Sequence, residues 1–305
     1  MRFVTDEIAS QPECWRQAAA LVDKVGPILP QQGERVAVFG CGTSWFVAQS
    51  YAALREASGH GETDAFAATE FPSKRTYDRV LALSRSGTTT EVLSQLSALR
   101  GRVPTVVVTA DPVAPAVELA DESVILEFAD ERAVVQTRFA TSALILLRAH
   151  LGGDAGGSIE TAISHAEAAV VEPLPPGATE RTQFTFLGRG WTVGLANEAA
   201  LKMREASLSW TESYPAMEYR HGPISITDEK SVVWFLGPPP PGLLDEVRQL
   251  GALAVSEPAR DPLAELIRVQ RLAVALGEAK SLDPDQPRNL SRSVILSQDN
   301  GVDAQ

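Results

Sequence analysis

Two similar α/β domains, each a mainly parallel, doubly wound sheet flanked by helices, are what this sequence predicts. Three observations carry the reading. Short apolar or β-branched runs alternate with amphipathic stretches along the whole chain. The succession of strand, Gly-x-Gly turn and helix occurs twice, at RVAVFGCGTS (35–44) and QFTFLGRGWT (183–192). Between them GGDAGG (152–157) is the clearest linker signal, dividing the 305 residues into 1–153 and 154–305.

The elements follow in order. PECWRQAAALVDKV (12–25) is helical and closes at Gly26-Pro27. RVAVFG (35–40) reads as a buried strand, and CGTSWFVAQSYAALREA (41–57) as a helix with Thr43 or Ser44 at the N-cap. RVLALS (79–84) is a second strand, leading through RSGTTT into an amphipathic helix that ends near Gly101. PTVVVTA (104–110) and SVILEFA (123–129) are β-branched strands, and 132–151 is a long helix. In the second half a helix spans about 158–172 and QFTFL is a strand. A helix rich in Ala, Leu, Glu, Lys and Met then runs from Thr192 to about Ser209. Residues 209–223 read as a loop, because Pro215 and Gly222-Pro223 interrupt any period. Strands at 231–237 and 252–256, helices at 242–250 and 261–277, and a turn-like tail LDPDQPRNLSRSVIL (282–296) complete the chain.

Composition removes several function classes. The net charge of −12 argues against nucleic-acid binding, which calls for a basic face. No apolar run approaches the ~18–20 residues of a membrane span. MRFVTDEIAS lacks a charged start followed by an apolar core, so no secretory signal is expected and the cytoplasm is the expected compartment. Two cysteines, Cys14 and Cys41, are too few for a disulfide framework or a zinc cage. No metal-ligand spacing stands out, and no cofactor is expected. A P-loop is absent; Trp45 occupies the third glycine position of GCGTSW, and GRGWTVG spaces its last glycine one residue too far, so a dinucleotide site is poorly supported.

Two features carry chemistry. The turns GCGTS (40–44) and SRSGTTTE (84–91) each place hydroxyls and glycines between a strand and a helix, where backbone N–H groups and the helix dipole favour an anion. A cap needs one hydroxyl; SRSGTTT offers five, which points to a phosphate. On the helix from Thr192, Glu198, Lys202 and Glu205 stand at i, i+4 and i+7 on one face. Such a stripe is most often a solvated face. Here His221 follows on the next loop, and a fixed carboxylate with a histidine can divide proton transfers.

GCGTS, SRSGTTTE, EAALKMREAS…HGP and DPDQPRNLSRSV, in this order from about residue 35 to 296, resemble the tandem sugar isomerase (SIS) domains of glucosamine-6-phosphate synthase. They resemble equally the stand-alone SIS phosphosugar isomerases and amino-sugar-phosphate deaminases. The resemblance implies Rossmann-like, flavodoxin-like SIS domains and a homodimer with shared active sites. It implies phosphate contacts from Ser84, Arg85, Ser86 and Thr89, and sugar or phosphate contacts from Thr43 and Ser44. Glu205 matches the family's catalytic carboxylate, which moves a proton between C1 and C2, and His221 its ring-opening histidine, lent by the neighbouring subunit. Lys202 matches a lysine one turn before the carboxylate, and Glu198, Val134 and Gln136 match pocket-lining positions. Arg292 stands where the synthase has a lysine, Arg85 where it has glutamine, and Arg2 where it has a nucleophilic cysteine. The expectation is an isomerase and deaminase converting glucosamine 6-phosphate, or a close relative, to fructose 6-phosphate and ammonia. The alternative is a non-catalytic sugar-phosphate sensor built on the same domains.

Overall fold

The computed structural model describes residues 2–72, 74–152 and 155–296, and contains two parallel sheets. The division at 153/154 falls outside the described residues. The first sheet comprises β1 (Val36–Gly40), β2 (Thr63–Ala67), β3 (Arg79–Leu83), β4 (Thr105–Thr109) and β5 (Glu122–Ile125), in the order β2-β1-β3-β4-β5. The second comprises β6 (Gln183–Gly188), β7 (Thr211–Pro215), β8 (Ser231–Leu236) and β9 (Leu253–Ser256), in the order β7-β6-β8-β9. Every ladder is parallel. The second sheet thus repeats the first four strands in the same flavodoxin-type order.

Parallel strands covered on both faces must be apolar throughout, and β1, β4 and β8 are buried at every residue. Alternate side chains enter different cores. Val38, Leu81 and Val106 meet Phe186, Val232 and Trp234 in one core spanning the space between the sheets, filled by the Thr43–Ala57, Arg138–Leu151, Thr192–Ser207 and Pro262–Ala279 helices. Phe39, Val80 and Val107 face an outer cluster with Leu96, and Leu187, Val233 and Phe235 face another with Tyr219. The helix after β1 and the helix after β6 touch at Gly194. A Cβ there would lie 2.4 Å from the Phe46 carbonyl, so only glycine permits the approach.

The structure corrects several expectations. Neither Thr43 nor Ser44 is an N-cap: the cap is Gly42, at φ +53°, and both hydroxyl residues lie inside the helix. The helix expected from 132 starts at Arg138, because Glu131 accepts the Thr137 and Arg138 N–H groups and takes the place of a further turn. Residues 211–215, read as loop, form β7. β2 went unread, as did the Phe3–Ala9 helix. β2 and β7 are edge strands, half-exposed over most of their length, so they lack the continuous apolar run of the central strands. No described helix is long and apolar enough to cross a membrane.

Candidate active site

Strand order reverses between β1 and β3, and the two hydroxyl-bearing turns leave the sheet at this switch point, where open α/β sheets bind ligands. A cavity of about 160 Å³ lies there. Its wall includes Cys41, Gly42 and Thr43 after β1, Thr89 after β3, Val134 and Gln136 before the Arg138–Leu151 helix, Lys202 and Glu205, and tail residues 290–294. The turn after β3 depends on Gly87, at φ +59°, where a Cβ would come within 2.4 Å of Ala114 Cβ.

Glu205 is the exposed end of a charge relay. Its side chain is 18% exposed and pairs with the buried Lys202 ammonium. Lys202 lies 3.5 Å from Glu198, which is 2% exposed. Burial alone would lower the Lys202 pKa, but Glu198 and then Glu205 outweigh it and hold the ammonium above its usual range. Glu198 is pushed up to about 8, chiefly by burial, with Lys202 pulling it down and Glu205 adding to the rise. Neither Glu198 oxygen has a hydrogen-bond partner among the described residues. Burial thus favours the protonated form of Glu198, and Lys202 lies between the two carboxylates, paired with Glu205. The end of this helix is fastened: Lys280 Nζ donates to the Ser207 carbonyl at 2.8 Å and the Ser209 hydroxyl at 2.9 Å, across a left-handed Leu208.

The hydroxyls of the β3 turn are not used as caps. Thr89 is the N-cap of the Thr90–Leu99 helix yet makes no side-chain cap bond. Instead Thr88 donates to the Ser86 hydroxyl or to the Ser293 hydroxyl of the tail, each at 3.0 Å, and Thr89 lies 3.3 Å from Ser293. Ser44, in the first turn of the Thr43–Ala57 helix, and Ser84 and Ser86, after β3, are buried and do not line the cavity. Cys41 sits in the wall with its thiol pushed up to about 11 by burial, so it contributes shape and not a nucleophile at neutral pH.

Arg85 and Arg292 are placed differently from the expectation. Arg85 is buried and donates to the Ala133 and Arg292 carbonyls, so its guanidinium is committed to backbone. Arg292 borders the cavity, but its guanidinium is held by the Glu131 carbonyl and by Asp130 at 2.6 Å. His221 is exposed at the end of the Glu218–His221 turn and lies outside the cavity of its own chain. Residues missed from sequence are Cys41 and the tail residues Leu290, Ser291, Ser293 and Val294. The position of Arg292 within DPDQPRNLSRSV was the available signal, since it brings its neighbours with it. No cluster of three or more His, Cys, Asp or Glu side chains fit for a metal ion occurs among the described residues.

Comparison with known proteins agrees with the resemblance to SIS domains that the motifs carry. No protein-family profile matches the sequence. Over 96% of its length the chain is similar to glutamine–fructose-6-phosphate aminotransferase [isomerizing], with 27% identity to the Methanothermobacter thermautotrophicus protein and 28% to that of Caulobacter vibrioides. It spans 57% and 59% of those relatives, a little over half of each. Among solved structures, glucosamine-6-phosphate deaminase from Thermotoga maritima shares the fold at a TM-score of 0.79, with 24% identity and 96% and 100% of the two chains covered. The tagatose-6-phosphate ketose/aldose isomerase of Escherichia coli does so at 0.78, with 19% identity and 98% and 97% covered. The resemblance read from the motifs thus holds along the chain: it is a relative of the isomerase region of the aminotransferases.

Proposed function

We propose that the protein is an aldose–ketose isomerase and deaminase of an amino-hexose 6-phosphate, converting glucosamine 6-phosphate to fructose 6-phosphate and ammonia. The observation that carries this reading is the meeting of Glu205, Lys202, Thr43 and Thr89 in one cavity at the sheet's switch point. Thr89, Thr43 and the backbone N–H groups of the two turns hold the phosphate. Glu205 takes the C2 proton of the open-chain sugar and returns a proton to C1. As O1 gains a proton and the amino nitrogen loses one, the 2-amino aldehyde becomes a 1-hydroxy-2-imine; water adds at C2 and ammonia leaves, giving the ketose. Lys202, beside Glu205, stabilises the negative charge that develops on the substrate oxygen. His221 moves the proton that opens the ring. The resemblance lends this histidine to the site of a second copy and makes the working unit a homodimer; its exposure outside the cavity of its own chain supports that reading.

Glu205→Gln is the direct test. Exchange of the substrate's C2 hydrogen with solvent should fall by at least about 10²–10⁴-fold, with sugar-phosphate binding kept. Exchange at the wild-type rate would remove Glu205 as the base. The sensor reading is separated by assaying ammonia: a sensor binds glucosamine 6-phosphate and releases none.

A further inference from the structure

Behind the cavity lies a buried ion pair that the proposed chemistry leaves unused. Arg85 and Glu131, 1% and 0% exposed, stand 3.7 Å apart. Arg85 Nη1 donates to the Ala133 carbonyl at 3.0 Å and Nη2 to the Arg292 carbonyl at 2.8 Å. Glu131 Oε1 accepts the Thr137 N–H at 2.5 Å, the Arg138 N–H at 2.8 Å and the Thr137 hydroxyl at 3.0 Å. Two side chains therefore join three segments of the cavity wall: the turn after β3, the 131–137 stretch carrying Val134 and Gln136, and the tail. The attachment is reciprocal, because the Arg292 guanidinium reaches back to the Glu131 carbonyl and to Asp130.

We propose that Arg85 and Glu131 are positioning residues that, as one charge pair, dock the tail and the 131–137 stretch against the hydroxyl turn and so assemble the cavity. Burying a guanidinium is costly unless its charge and N–H groups are met; here Glu131 meets the charge and two carbonyls meet Nη1 and Nη2, while Nε has no partner among the described residues. A planar fork reaches carbonyls of two segments at once; a lysine ammonium on a flexible stem lacks that geometry. Only the identity of the ligand rests on the isomerase reading. The docking itself does not.

The test combines trypsin digestion under native conditions, reading cleavage after Arg292 by mass spectrometry, with steady-state kinetics on glucosamine 6-phosphate. Wild type resists cleavage at Arg292. Arg85→Met/Glu131→Gln, which strands no buried charge, is cleaved there at least about tenfold faster and its KM rises by about tenfold or more with a smaller change in kcat. Arg85→Lys, which keeps the charge and loses the fork, also exposes the tail. Full protection in both variants overturns the proposal, and so does a released tail with an unchanged KM. If wild type shows no turnover, the isomerase reading fails; the digestion then decides the docking on its own, release supporting it and protection overturning it.

Discussion

Glu198→Gln is expected to stabilise the protein at pH 8 relative to wild type and to do so progressively less as the pH falls. Burial raises the Glu198 carboxyl from 4.5 to about 8, against the pull of Lys202. The folded state therefore keeps a proton that the unfolded chain releases. Stability from this proton is complete below pH 4.5 and is lost as pH rises toward 8. A gap of roughly 3.5 units at about 1.36 kcal/mol each sets a ceiling near 5 kcal/mol. The pull of Lys202, 3.5 Å away, is already contained in this gap, so the loss between pH 4.5 and 8 is bounded by that ceiling. Glutamine has no proton to lose and lacks this slope. Urea denaturation of both proteins, followed by tryptophan fluorescence at pH 5, 6.5 and 8, isolates the effect, since other titrations cancel in the difference. A stability difference that stays the same at all three pH values would refute the reasoning.

Lys202→Met removes the cation between two carboxylates and should cost roughly 3–5 kcal/mol at pH 8; the same titration should show a smaller loss at pH 5, where Glu198 keeps its proton. Gly194→Ala places a methyl within 2.4 Å of the Phe46 carbonyl and should destabilise by about 1–3 kcal/mol in chemical denaturation. Mixing inactive Glu205→Gln with inactive His221→Ala, then allowing subunits to exchange, should recover roughly a quarter of wild-type activity if each site draws on two chains. No recovery after verified exchange would return His221 to its own subunit or to no role.

What could be read in advance, and what could not, divides along a physical line. The central strands were legible because burial on both faces demands an unbroken apolar run, as in β1, β4 and β8. The Gly-x-Gly turns were legible because positive φ at Gly42 and Gly190 restricts the residue type. Edge strands β2 and β7 satisfy no such demand and stayed hidden. Hydroxyls near a helix start have two destinations, the cap or a ligand, and spacing alone does not separate them. The structure does, because Thr89 makes no cap bond and turns toward the cavity.

Arg85 shows why the same inference fails for charge. Beside SRSGTTT an arginine looks like a phosphate ligand, since a cation next to an anion cradle is the cheapest reading of local sequence. Its partners lie 48 and 207 residues away, at Ala133 and Arg292, and nothing in the turn announces them. Once they claim the guanidinium, a phosphate in the cavity must be held by hydroxyls and N–H groups, with Lys202 as the cation in the wall and itself shared with Glu205. On the proposed reading the site would meet a phosphate mainly with dipoles. Affinity for a sugar phosphate should then depend less on ionic strength than at an arginine-lined site, because short hydrogen bonds are screened far less than separated charges. Titrating fructose 6-phosphate between 0.05 and 0.5 M salt checks this on the order of a Debye length: a change in Kd under about threefold is expected, and a tenfold loss would mean that a guanidinium leaves its carbonyls to meet the phosphate.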